Sequence, residues 1–134
     1  MATTTATLTL SSADLTGDAL ALTTVSTLTK AGTATGMTET SGVGRKTTTA
    51  TSQYTLFDGN DYSASGTHKV YLKNTSSTTS EYFTLTVNAE EIGRLYAGDW
   101  AFLPWGAHDA DNDIKITPSV ATTMTLEYML IYQA

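Results

Sequence analysis

Five consecutive positions, Asp109-Ala110-Asp111-Asn112-Asp113, place oxygen ligands at alternating sites, the pattern that hard cations such as calcium prefer. Asp109, Asp111 and Asp113 are therefore the calcium candidates. The helix–loop–helix calcium loop needs glycine at its sixth position and glutamate at its twelfth. This chain has Ile114 and Val120 there, which excludes that loop type. The competing reading is a solvated acidic loop tip. Nucleophilic catalysis has less to work with. The two histidines, His68 and His108, have no nucleophile at a spacing that pairs with them, and no Gly-x-Ser-x-Gly turn occurs. Both histidines read as surface residues. Glu90 and Glu91 are adjacent, so on a strand they would point to opposite faces, a poor geometry for an acid–base pair. No catalytic residue is assigned, and the chain is expected not to be an enzyme and to carry no cofactor.

Three further features bear on binding. Gly42-Val43-Gly44-Arg45-Lys46 has a faint likeness to a phosphate loop, but it lacks the required spacing and no helix is predicted after it. It reads better as an arm whose basic end, Arg45 and Lys46, lies across an acidic neighbour. Asn74-Thr75-Ser76 matches a glycosylation acceptor, which has meaning only on a secretory route. Trp100, Phe102 and Trp105 fall within six residues. Tryptophan and tyrosine dominate interface hot spots and also serve as sugar-stacking platforms, so core, interface and glycan readings all stand for this cluster.

The elements that must position these residues are strands. Ala6, Leu8 and Leu10 alternate with threonines. Leu20 and Leu22 again fall at alternate positions, and Phe83, Leu85 and Val87 alternate with Thr84 and Thr86. Met124, Leu126, Tyr128, Leu130 and Tyr132 share one face of the last segment, while Met129 and Ile131 occupy its other face. A strand apolar on both faces belongs in the middle of a sheet or at an interface. From Lys30 to Lys46 four glycines break the pattern and predict a flexible loop or arm over 30–46. The expectation is one all-β domain over 1–134, an antiparallel β-sandwich of jelly-roll type with about seven to nine short strands.

Composition narrows the function classes. The 134 residues suffice for one core, and with no cysteine neither a disulfide framework nor a thiolate site exists. A net charge of −6 argues against nucleic-acid and anionic-membrane partners. No apolar run approaches the length of a membrane helix, and the first residues carry no secretory signal pattern, so none is expected. Threonine occurs 29 times and charged residues make up only 15%, a surface that loses little side-chain entropy when another protein covers it.

The stretch from Val43 to the end resembles small virion structural proteins of tailed bacteriophages, particularly those infecting cyanobacteria and other marine bacteria. The segments that carry the likeness include His68-Lys69-Val70-Tyr71-Leu72-Lys73-Asn74 and Tyr82-Phe83-Thr84-Leu85. Ile92 through Trp100, the run Phe102-Leu103-Pro104-Trp105, and the close from Ser119 to Tyr132 complete it. The resemblance implies a β-sandwich in the virion, assembled in the host cytoplasm, that decorates or cements the outside of a capsid. Its partners would be the major capsid protein or other virion proteins, and further copies of itself. A tail or fibre component, or a carbohydrate- or receptor-binding module, is the alternative.

Overall fold

Period-two alternation governs nearly the whole chain, and antiparallel ladders result. The computed structural model describes residues 3–15, 17–62, 67–107 and 110–133. Among them eleven strands form and every ladder is antiparallel. The chain divides into two compact units, Met1–Thr38 and Glu39–Ala134.

The first unit is built on a hairpin of β1 (Thr5–Ser12) and β2 (Leu20–Thr27), paired over all eight residues of each strand. Beyond it Leu28 and Met37 are buried and joined by Met37 N–H donating to Leu28 O at 3.0 Å. A bridge between Thr29 and Gly36 closes the turn at residues 30–35.

The second unit holds β3 (Glu39–Thr40), β4 (Gly44–Thr48), β5 (Tyr54–Phe57), β6 (His68–Asn74), β7 (Tyr82–Val87), β8 (Glu90–Tyr96), β9 (Trp100–Trp105), β10 (Ile114–Pro118) and β11 (Met124–Tyr132). Four ladders pair the first half of this set with the second half in reverse order: β4 with β11, β5 with β10, β6 with β9, and β7 with β8. That is one long antiparallel ribbon. Two more ladders, β11–β6 and β10–β7, roll the ribbon up. The products are a four-stranded sheet β5-β10-β7-β8 and a five-stranded sheet in which β11 pairs with β3, β4 and β6, and β6 pairs with β9. This connectivity is the jelly roll.

One core cluster draws from both sheets: Phe57, Phe83, Leu85, Leu95, Ile114 and Ile116 from one, and Val70, Leu72, Trp105, Met124, Leu126 and Leu130 from the other. The unit is therefore a sandwich. Burying each large apolar side chain contributes about 1.5–3 kcal/mol. The sequence reading of residues 30–46 as loop or arm needs correction, since Glu39–Thr40 and Gly44–Thr48 are strands bonded to β11. Strand β4 is polar and acquires its order from the central strand it joins. Gly44 also has a packing role. A Cβ there would sit 2.8 Å from Tyr128 Cζ, and that ring is held edge-on against Phe57.

The β7–β8 turn runs through Asn88 and Ala89 with φ of 52° and 60°. Positive φ at both central residues makes a type I′ turn, which matches the twist of a hairpin. Asparagine tolerates this region, whereas alanine is strained there by about 1–2 kcal/mol. Ala89→Gly removes the strain at a smaller cost in unfolded-chain entropy. It is expected to stabilise the fold by about 0.5–1 kcal/mol, read as a higher thermal midpoint. An unchanged or lower midpoint would refute the turn assignment.

Candidate functional site

Strand β9 divides the aromatic cluster between two environments. Its alternation turns Trp100, Phe102 and Pro104 outward, and Ala101, Leu103 and Trp105 inward. Trp100 is 53% exposed and Phe102 38%, while Trp105 is 3% exposed. The register carries this face across the sheet. Trp100 lies beside Lys73, Phe102 beside Tyr71 and Pro104 beside Lys69 on β6. Glu127, Met129 and Ile131 of β11 stand next to those three residues in turn. Arg45 of β4 lies beyond Glu127. The result is an apolar row, Phe102–Tyr71–Met129, bordered by a row of Trp100, Lys73, Glu127 and Arg45. Strand β9 is the sheet's edge, and Pro104 has no N–H to offer a further strand there.

Glu127 organises the polar row. Arg45 Nη2 lies 3.2 Å from its Oε2, and the Tyr71 hydroxyl donates to its Oε1 at 3.1 Å. The Arg45 side chain is 68% exposed, so this pair contributes at most about 1 kcal/mol of stability. Its effect is to fix the orientation of the face. Burial, then the hydrogen bond and charge of Glu127, raise the Tyr71 hydroxyl pKa above its ordinary value of 10.0. Burial, with the Asp61 charge second, raises Tyr62 in the same direction. A group whose folded pKa is raised contributes stability that is complete below the unfolded value. That contribution is lost as pH rises through the folded value. Stability should therefore fall above about pH 10, and Tyr71→Phe should make that fall shallower. Urea midpoints measured across the alkaline range check this, and identical slopes in variant and parent would refute it.

The remaining sequence candidates are dispersed. Trp105 is a core residue and not a surface contact. Its Nε1 donates to Asn112 O at 2.6 Å, and its ring meets those of Phe57, Tyr62 and His68 at 6.0, 5.5 and 5.7 Å. The surface reading of His68 is also corrected. It is fully buried, and its Nδ1 accepts from Gln133 N–H at 3.2 Å. Lys46 sits on the opposite side of β4 from Arg45, with Nζ 5.0 Å from the centre of the Tyr54 ring. The two basic residues thus do not act as one patch, because adjacent strand residues face opposite ways.

The acidic run is likewise separated. His108 and Asp109 lie outside the described residues. Asp111 falls in a short 3-10 turn, Ala110–Asn112. Asp113 is buried, with Oδ1 accepting from Gly59 N–H at 2.8 Å and Oδ2 3.4 Å from Lys115 Nζ. It clamps the turn at Gly59–Asp61 to β10. Among the described residues no group of three acidic, histidine or cysteine side chains is placed to hold a metal ion.

Two surface features escaped the sequence reading. On the other sheet the Arg94 guanidinium lies 4.8 Å from the Tyr82 ring centre, and Tyr82 and Tyr96 approach to 5.0 Å. These contacts depend on a register that shifts at a bulge between Leu85 and Thr86. The second feature is a cleft of about 270 Å³ lined by hydroxyls of Thr75, Ser76, Thr78 and Thr122 around Glu81. The Glu81 carboxylate is already bonded to Ser76 Oγ and, at 3.0 Å, to Thr122 Oγ1. No protein-family model, curated protein or solved structure matches the chain.

Proposed function

We propose that this protein is a structural component of a tailed-bacteriophage virion. In this reading it decorates or cements the capsid exterior, in contact with the major capsid protein, and catalyses no reaction. The observation that carries the reading is the outward face of β9, β6 and β11. There Trp100 and Phe102 stand exposed beside Tyr71 and Met129, with Lys73, Glu127 and Arg45 along one border. Exposed aromatics grouped with further apolar side chains along a charged border are the composition of a protein contact. Jelly rolls recur in viral capsid proteins and in lectins, a fold-level analogy that lends support to both readings considered for this chain.

The test is immunogold labelling of density-purified particles with an antibody raised against the purified chain, paired with copy number from quantitative mass spectrometry. Label over the head at high copy supports decoration. Label confined to the tail at low copy overturns the capsid role and leaves a tail component. Particles without label overturn the virion reading. The double variant Trp100→Glu with Phe102→Glu should abolish attachment to particles while the fold persists.

The exposure of Trp100 also favours a carbohydrate-binding module. The two tryptophans make a direct test, because only Trp100 is accessible. A polysaccharide that shields it from iodide quenching, while leaving the buried Trp105 emission unchanged, would support the glycan reading.

A further inference from the structure

Hairpin β1–β2 has a two-stranded sheet to itself, and among the described residues no third strand joins it. One of its faces sets Leu10 directly opposite Leu22, and the two are 44% and 45% exposed. The other face is a ladder of threonines into which Val25 projects, 62% exposed. After Leu20, every residue of β2 is exposed. A two-stranded ribbon is marginal in water, and stability requires more strands or a covered apolar face.

The edges of this hairpin differ from those of the jelly roll. Edge strand β8 carries Glu90, Glu91 and Arg94 and has a bulge against its neighbour, and edge strand β9 carries Pro104. These are ordinary protections against pairing with another chain. Strands β1 and β2 have none of them. They contain no charge and no proline, and their register runs without a shift. Within residues 3–27 the only charged side chains are Asp14 and Asp18, both in the connecting turn.

We propose that β1–β2 is a self-association element that pairs edge to edge with the hairpin of a second copy, extending the sheet and covering the Leu10–Leu22 pair. Charge identifies the occupant. A two-fold contact brings the same patch of both copies together, so a patch with net charge of one sign repels itself. For a chain of net charge −6, copies meet at least cost where the surface is neutral, and this hairpin is a long uncharged stretch with unprotected edges. The proposal does not rest on the virion reading, since association is a property of the purified chain.

The experiment is the mass of the full chain by size-exclusion chromatography with light scattering, from micromolar to millimolar. Amide exchange is followed over 5–12 and 20–27 across the same range. The expected result is a defined oligomer whose hairpin amides exchange more slowly as concentration rises. Leu22→Lys should raise the dissociation constant by roughly tenfold or more. Ile92→Lys, at an apolar position on β8 that is 58% exposed, should leave it unchanged. The exchange measurement holds whether or not the lysine variant keeps its hairpin. A monomer at all concentrations would overturn the proposal and leave the hairpin to a strand of another protein. Hairpin exchange indifferent to concentration, or a Leu22→Lys variant that assembles like the parent, would overturn it as well.

Discussion

Trp105→Ala should lower the unfolding free energy by about 3–5 kcal/mol, the range for deleting a buried aromatic. For a domain whose total stability is about 5–15 kcal/mol, that removes a large share of it. Two losses add. The indole packs against Phe57, Tyr62 and His68 at one end of the sandwich, where a methyl group would leave a cavity lined by rings. Its N–H also holds Asn112 O, so the Ala110–Asn112 turn loses its tether. Trp105→Phe separates the two effects. It keeps most of the packing, forfeits the hydrogen bond, and should cost only about 1–2 kcal/mol. Trp100→Ala, five residues earlier on the outward face, should change stability by less than about 0.5 kcal/mol. Urea denaturation followed by circular dichroism gives all three values. Equal costs for Trp100 and Trp105 would refute the inward and outward assignment of β9 on which the proposed contact depends.

That division is legible in the sequence, although all three aromatics fall within six residues. On a strand Trp105 shares a phase with Ala101 and Leu103, not with Trp100 and Phe102. His68 offered the same signal, since it leads the series Val70, Leu72 and Asn74, all of which are buried. His68 reads by type as a surface group where its position makes it core, and for Trp105 position selects the core reading from the three that the cluster allows. The all-β class followed from alternation, as did the central place of β11, apolar on both faces and bonded on both sides. Strand β4 was beyond reach of the sequence. Gly44-Arg45-Lys46-Thr47-Thr48 has no apolar alternation, and it is a strand because β11 offers it an edge. The outward aromatic face was half legible. Trp100 and Phe102 were named, but Tyr71 and Met129 join them only through ladders linking residues far apart in sequence. The neutral hairpin was visible as alternation, yet its exposure on both faces is a tertiary fact that composition does not carry.

Asn74 is the polar counterpart of Trp105, and Asn74→Asp should be as damaging in a way that depends on pH. The side chain is fully buried at the end of β6. Its Nδ2 donates to Leu95 O at 3.0 Å and Glu81 O at 3.2 Å, and its Oδ1 accepts from Ser76 N–H at 2.9 Å. One amide thereby ties the five-stranded sheet to β8 and to the loop that shapes the hydroxyl-lined cleft. Aspartate has the same shape but places a carboxylate oxygen against two carbonyls with no cation to compensate. A buried, uncompensated charge of this kind costs about 3–5 kcal/mol. Protonation relieves part of the cost, because the neutral acid donates to one carbonyl. The new carboxyl would titrate above the unfolded value of about 3.9, so the penalty is smallest below that pH and grows as pH rises through the folded value. Asn74→Ala, which leaves three partners unbonded at every pH, should cost about 2–4 kcal/mol with little pH dependence. Thermal midpoints of both variants and the parent, compared at acid and neutral pH, distinguish the two behaviours. A penalty for Asn74→Asp that is the same at both would mean the carboxyl finds water, and that the junction between β6, β8 and the cleft is more open than this packing allows.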